Sequence, residues 1–318
     1  MRVLTFNSHQ PYLHLLAASL PWVFGVITPR TPSGLIRGWN EKIRPLPDNV
    51  RLYASVDAAL SNGSWDWILT HNVQDFLDSR GSRLPKIFLV HGTLSGRILQ
   101  DRATIDRAAY IRDLSTLLRS NRCRVVYVSE LKRDDWGIPG QVIRSTVEAS
   151  SYGGYRGDLQ GVLQVCNHLR ERREILGWDT HETVCRGLPR LLLGENGGLP
   201  DSRRAESWED LKEQYRSYRV YLHTAIYPYE DGYNLSMLEA MATGMPVATI
   251  SHPTSPIQDA VHGIVAGTAG ELRERVVRLL DNPDEALRMG RSARQKLEGD
   301  FPLPAFQSAW QAVAESIV

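Results

Sequence analysis

A chain of 318 residues, 42% hydrophobic and 23% charged, can bury a sizeable core and has the length for two domains of about 150 residues each. Nothing in the composition suggests disorder, and the three cysteines, Cys123, Cys166 and Cys185, are odd in number and form no CxxC pair, so neither a disulfide framework nor a structural zinc site is implied. The net charge is +1, but residues 1–145 hold 19 Lys and Arg against 12 Asp and Glu, a net +7, while residues 146–318 hold 18 against 24, a net −6. A basic first half points to an anionic partner such as a nucleic acid, a lipid phosphate or a phosphorylated glycan, with ordinary surface scatter as the alternative.

In chain order, Arg2 to Phe6 is strand-like and precedes the longest apolar stretch, Leu13 to Thr28, which His14 and Pro21 interrupt. This pattern is expected to be neither a signal peptide nor a membrane span, so the expected location is the cytoplasm, with peripheral membrane contact still open. Short apolar runs at Val3–Phe6, Trp22–Ile27, Trp67–Thr70, Ile87–Val90 and Val125–Val128 read as buried strands. A helix is expected over Asp101–Arg119, with Ile105, Ala109, Leu114 and Leu117 near helical spacing. The turn-rich stretch Ser150–Asp158, SSYGGYRGD, reads as a linker. The alternation then restarts with strands at Val162–Val165, Arg190–Leu193, Val220–Leu222, Val247–Ile250 and Gly263–Val265, followed by helices at Pro283–Glu298 and Phe301–Val318. The expected organisation is therefore α/β throughout: a Rossmann-like domain over 1–149, a second over 150–300, and a final helix over 301–318. Open parallel sheets bind ligands beyond the carboxyl ends of their strands, so function is to be sought in those loops.

The most informative run is Tyr229–Val247, YEDGYNLSMLEAMATGMPV. A loop at Gly232 leads into a helix from about Asn234 to Ala242, closed by Gly244 and Pro246. The backbone N–H groups from Gly232 to Leu235 are expected to be unpaired at that helix start, which makes an anion site. Asp231 and Glu239 lie eight residues apart, on the order of 10 Å along a helix, which suits gripping the two ends of an elongated ligand.

This run resembles the E-x7-E signature of retaining GT-B glycosyltransferases, glycosyltransferase family 4 in particular, also described as glycosyl transferases group 1. Asp231, Gly232, Tyr233, Asn234, Leu235, Leu238, Glu239, Ala240, Met241, Ala242, Gly244, Pro246 and Val247 align without a gap. The resemblance implies two Rossmann-like parallel-sheet domains facing across a cleft, with the C-terminal helix crossing back onto the first. It also implies that Asp231 touches the donor sugar, that Gly232, Tyr233, Asn234 and Leu235 meet sugar and phosphate, and that Glu239 holds the ribose hydroxyls. Two positions depart from the pattern: Asp231 stands for the usual Glu, with Glu230 beside it, and Asn234 stands for the second glycine.

Further stretches match in order. After the strand at 162–165, where the family has an arginine and a lysine clamping the donor diphosphate, this chain has Asn167 and Arg172, and a solvated helix start over Arg170–Arg173 is the alternative. Gly194, Glu195, Asn196 and Gly197 fall where the family turns near the nucleotide base, and VVYVSEL at 125–131 matches its usual VSE stretch. His91 ends an apolar strand in PKIFLVHGT, the place of a family histidine that approaches the donor sugar, and His71 ends the strand before it. The first loop carries Asn7, Ser8, His9 and Gln10 in place of a glycine pair, and His9 and His71 are acceptor-side candidates. No Asp-x-Asp occurs, so no catalytic metal is implied. Arginines 97–124 step about five residues apart, roughly 140° around a helix, and form no single stripe for nucleic acid.

The expected function is transfer of a sugar from a nucleoside diphosphate sugar, UDP- or GDP-linked, to an acceptor, with retention. His91 and Asp231 are the expected catalytic groups. No cofactor beyond the donor is expected, and the acceptor is expected to be anionic: a lipid-linked or envelope glycan first, a modified nucleic acid second. The rival readings are a sugar-nucleotide epimerase or phosphorylase on the same fold, and a non-catalytic nucleotide-sugar-binding protein.

Overall fold

A computed structural model describes residues 1–28 and 38–317, so Val318, the last residue of the expected final helix, lies outside the described residues. In chain order its first elements are β1 (Arg2–Phe6), α1 (Gln10–Ser19), β2 (Val23–Ile27), β3 (Val50–Tyr53), α2 (Val56–Ser61), β4 (Trp67–Thr70), α3 (Val73–Asp78), β5 (Lys86–Val90), α4 (Leu94–Asp101), α5 (Arg107–Ser120), β6 (Cys123–Tyr127), α6 (Glu130–Trp136) and β7 (Gln141–Val142). There follow β8 (Leu159–Val165), α7 (Arg173–Leu176), α8 (Trp178–Cys185), β9 (Arg190–Leu193), β10 (Ser202–Arg203), α9 (Trp208–Ser217), β11 (Tyr218–His223), α10 (Leu235–Thr243), β12 (Val247–Ile250), β13 (Gly263–Ala266), α11 (Ala269–Leu280), α12 (Pro283–Asp300) and α13 (Leu303–Glu315). Two compact units result: Met1–Leu94 with Thr104–Arg144 and Leu303–Val318, and Ser95–Ala103 with Ser145–Pro302.

The first unit holds a parallel sheet in the order β3-β2-β1-β4-β5-β6-β7. The order reverses between β1 and β4, so a ligand crevice is expected beyond the carboxyl ends of those two strands. One face of the sheet is built on Leu4, Phe6, Ile27, Trp65 and Ile68. Gly25 lies in mid-strand because the Trp65 ring covers it: a Cβ there would sit 2.3 Å from a ring carbon. Trp65 in turn donates Nε1–H to the carbonyl of Ala59 at 2.9 Å. Helix α13 belongs to this unit: Phe306 meets Tyr12 edge to face at 6.2 Å, and the Gln311 side chain accepts from Trp22 Nε1 at 3.2 Å.

The second unit holds a parallel sheet in the order β10-β9-β8-β11-β12-β13. Both faces are buried, and the two-residue period of each strand divides its side chains between them. Leu163, Tyr221 and Val247 enter one cluster with Leu211, Met237, Met241 and Leu297. Their neighbours Val162, Val220, Leu222 and Ala248 enter the other with Val184, Leu272 and Val276. The switch point falls between β8 and β11, so the loops after those strands are the expected ligand loops.

Several sequence expectations need correction. The helix read over Asp101–Arg119 is two elements: α4 ends at Asp101, and Asp106 caps a fresh helix by accepting from Ala109 N at 3.0 Å. Ile105 lies in the break and is 40% exposed, so it is no core residue. Strand β3 was missed because its pattern is that of an exposed edge: Arg51 and Leu52 face outward, and only Val50 is fully buried. Among the described residues no helix is long and apolar enough to cross a membrane.

Candidate active site

The loop between β11 and α10 is held from three sides. Gly232 is needed for close approach, since a Cβ would lie 2.6 Å from His252 Nδ1 and 2.7 Å from Ser255 N. Its N–H donates to Thr254 Oγ1 at 2.8 Å, which corrects the expectation of unpaired amides starting at Gly232. The cause is the loop after β12, which folds back so that the Thr254 hydroxyl fills that donor. His252 fixes the same loop, bonding the Glu230 carbonyl through Nε2 at 3.0 Å and accepting from Thr254 N at 3.2 Å. His223, at the end of β11, reaches the Asp231 carbonyl through Nε2 at 3.3 Å. Burial depresses this imidazole to about 4, so it is neutral at pH 7 and donates one N–H. None of His223, His252 or Thr254 is legible locally, since each meets the loop only after folding.

Helix α10 starts where the sequence reading put it, within a residue. Asn234 is its N-cap: its side-chain oxygen accepts from Met237 N at 2.9 Å. The departure from glycine at 234 therefore has a structural role, and the helix start over Asn234–Ser236 is half-buried rather than covered. Gly244 closes the helix in the left-handed conformation, φ 90°. Arg294 donates to the Ala242 carbonyl, adding a cation at the negative end of the helix dipole. Asp231 and Glu239 are 1% and 4% exposed, both nearly buried carboxylates. Tyr215 donates its hydroxyl to Glu239 Oε2 at 3.1 Å, a partner with no mark in the local sequence. Glu230 accepts from Asp231 N at 3.0 Å through its own carboxylate.

After β8, Asn167 and Asn196 lock two loops together. Asn167 Oδ1 accepts from Glu195 N at 2.8 Å, Asn196 Oδ1 accepts from Leu169 N at 2.9 Å, and Asn196 Nδ2 donates to the Cys166 carbonyl at 2.8 Å. Gly194, at φ 136°, cannot be replaced freely, because a Cβ would fall 2.1 Å from that same carbonyl. Glu195 is partly exposed and pairs with Arg204 at 3.3 Å. Arg173 pairs with Asp179 at 2.7 Å, whereas the half-buried Arg172 has no side-chain hydrogen bond or ion pair among the described residues. Burial pushes the neighbouring Cys166 thiol up to about 12, so it stays protonated and is no nucleophile at neutral pH.

In the first unit the three candidate histidines converge beyond β1, β4 and β5, at the switch point. His71 bonds His91, Nδ1 to Nε2, at 2.8 Å, and its Nε2 meets Thr5 Oγ1 at 2.9 Å. The His9 ring lies 4.8 Å from His91 with the planes 15° apart, and Tyr12 meets His91 edge on at 5.0 Å. His9 also caps α1, its Nδ1 accepting from Tyr12 N at 3.3 Å. Burial depresses His71 to about 3 and holds His91 well below the usual range, helped by the fields of His9, His71 and Lys132. Asp75, unread in the sequence, ties the loops together by accepting from His71 N at 3.0 Å and from Ser8 Oγ at 2.8 Å. Among the described residues no group of three His, Cys, Asp or Glu is arranged to hold a metal ion.

Two all-parallel α/β units, each with candidate residues at the switch point of its sheet, define the GT-B architecture. Over the chain's length the fold is similar to HepE of Anabaena in complex with UDP-glucose, at 13% identity and TM-score 0.72, covering 99% of this chain and 100% of that one. It is similar to sucrose-phosphate synthase from Thermosynechococcus elongatus, at 12% identity and TM-score 0.72, covering 99% and 98%. It is also similar to WaaG, a glycosyltransferase involved in lipopolysaccharide biosynthesis, at 13% identity and TM-score 0.61, covering all of both chains. No curated protein matches the sequence. A family model described as Glycosyl transferases group 1 matches residues 179–282, about a third of the chain. That stretch contains Asp231, Gly232 and Glu239, so the group 1 glycosyltransferase signature read from the sequence stands, on a GT-B fold that spans the chain. Asn167, Arg172, His9, His71 and His91 lie outside the matched stretch.

Proposed function

We propose that the protein transfers a glycosyl unit from a uridine diphosphate sugar to an acceptor with retention at the anomeric carbon. The carrying observation is one set of residues at the β8/β11 switch point: nearly buried Asp231 precedes α10, nearly buried Glu239 lies within it, and Arg172 has no side-chain hydrogen bond or ion pair among the described residues. Uridine is favoured because HepE, of like fold, was solved with UDP-glucose.

In this reading Glu239 accepts hydrogen bonds from the ribose hydroxyls, with Tyr215 orienting its carboxylate. Asp231 holds a hydroxyl of the donor sugar. As the glycosidic bond breaks, positive charge develops on the sugar ring and negative charge on the departing diphosphate. The partial positive charge at the start of α10, together with Arg172, stabilises the diphosphate. Gly232 contributes shape, since its amide already serves Thr254, which leaves Asn234 to Ser236 as the phosphate-facing part. The first unit takes the acceptor, and the net +7 over residues 1–145 favours an anionic one. His91 donates a hydrogen bond to a sugar oxygen.

The test is calorimetric titration of UDP- and GDP-sugars into wild type and Glu239→Ala, followed by anomeric analysis of product. Binding of UDP-sugars that weakens in the variant supports the reading. Absence of binding by any nucleotide sugar, or an inverted anomer, counts against it.

A further inference from the structure

The three histidines are one array, and two of them are joined in a way that sets a tautomer. His71 and His91 are nearly coplanar, their planes 15° apart and their centroids separated by 5.1 Å. Face-to-face rings keep their atoms about 3.5 Å apart or more, so the 2.8 Å contact between Nδ1 and Nε2 means that the rings meet edge to edge through a hydrogen bond. One of the two nitrogens carries the proton, and the other end of the array decides which.

Thr5 is fully buried, and its hydroxyl meets His71 Nε2. If Thr5 donates, its hydrogen is satisfied, His71 Nε2 is an acceptor, and the single proton of neutral His71 sits on Nδ1. If His71 donates from Nε2 instead, the Thr5 hydrogen needs another acceptor in a fully buried site, which is costly. The first arrangement therefore prevails. His71 Nδ1–H then donates to His91 Nε2, and the proton of neutral His91 must be on Nδ1. Asp75 supports this order by fixing the His71 backbone N–H and the Ser8 hydroxyl, without touching either imidazole edge.

We infer that His71 is a positioning residue: passing the Thr5 hydroxyl's polarity to His91, it keeps the His91 proton on Nδ1, so that His91 offers an uncharged N–H donor to an oxygen of the sugar substrate. This rests on the glycosyltransferase reading only for the identity of the substrate; the tautomer is a property of the free protein.

The test is made on the full chain with 15N-labelled histidine, reading His91 Nδ1 and Nε2 by long-range proton–nitrogen correlation at pH 7 without substrate. In wild type, Nδ1 is expected to show the protonated shift and Nε2 the unprotonated one. His71→Phe removes the donor and is expected to move the His91 proton wholly or partly to Nε2. His71→Gln, whose amide N–H can replace the donor, restores the Nδ1–H form. If His71→Phe does not fold, Thr5→Val serves, as it removes the hydroxyl at nearly constant volume and is expected to shift the same signals. In UDP-glucose hydrolysis, with water as the glucosyl acceptor and UDP as the leaving group, kcat falls about tenfold or more in His71→Phe and recovers in His71→Gln, with KM for the donor little changed. A wild-type His91 protonated on Nε2, or a tautomer indifferent to both His71→Phe and Thr5→Val, overturns the inference. Loss of all nucleotide-sugar turnover in wild type, with the tautomers as expected, overturns the functional reading instead.

Discussion

Replacing Glu239 is the substitution whose effects on binding and on stability separate most clearly. The carboxylate is 4% exposed and takes the Tyr215 hydroxyl on one oxygen at 3.1 Å. Two charge-assisted bonds to ribose hydroxyls are worth about 1.5–3 kcal/mol each, so the lower end gives about 3 kcal/mol, or roughly 100-fold in Kd. In Glu239→Ala the Tyr215 hydroxyl, fully buried, loses its acceptor, which costs about 1–3 kcal/mol of stability and lowers Tm by several degrees. Glu239→Gln keeps an acceptor for Tyr215 while losing the charge, so it isolates the binding term. UDP-glucose affinity by calorimetry and Tm by scanning fluorimetry, on wild type, both Glu239 variants and Tyr215→Phe, give the separation. A folded Glu239→Gln protein that binds UDP-glucose within twofold of wild type would refute the assignment of Glu239 to the ribose.

Arg172→Ala, having no side-chain hydrogen bond or ion pair to lose among the described residues, is expected to leave Tm within a degree or so and weaken UDP-glucose tenfold or more, while leaving uridine affinity unchanged. Gly290→Ala places a Cβ 1.8 Å from the Gly244 carbonyl, where α12 crosses the end of α10; a loss of about 1–3 kcal/mol or more is expected in thermal melts. Acid stability follows from the histidines. His71 binds its proton near pH 3 when folded and near 6.5 when unfolded, so its contribution is complete above 6.5 and is lost as pH falls from there toward 3. At pH 5.5 that loss is on the order of 1 kcal/mol from His71 alone, and His71→Gln should flatten the urea midpoint against pH in that window. If the acceptor is anionic, turnover at subsaturating acceptor should drop between 50 and 300 mM salt, on the order of the range over which exposed charges are screened; indifference to salt removes that part of the reading.

The sequence exposed those parts of the fold that depend on neighbours along the chain. Buried strands such as Trp67–Thr70 and Val247–Ile250 are short, mostly apolar runs, and the Gly244–Pro246 stop of α10 is a local conformational signal. Edge strand β3 escaped because half of its side chains face outward, and the break at 101–106 escaped because the cap at Asp106 competes with a continuous apolar spacing. At the candidate site, Asp231, Gly232 and Glu239 were legible from a fixed register within one loop and helix. The groups that hold them were not: Thr254 meets Gly232 across 22 residues, Tyr215 meets Glu239 across 24, and Asp75 staples Ser8 across 67. Such partners are chosen by topology, and a Thr or a Tyr far away in the chain carries no mark of the amide or carboxylate it will meet.

Helix α13 lies after every strand of the second unit in sequence and yet belongs to the first, where it meets Tyr12 and Trp22. On the ribosome the first unit therefore emerges early but waits for its last element until the whole of the second has been made. In that interval Tyr12 and Trp22 lack the contacts that Phe306 and Gln311 make with them in the folded chain, though each already has aromatic neighbours in its own unit. The second unit, complete earlier, is then the natural first folder, reversing the order in which the two begin.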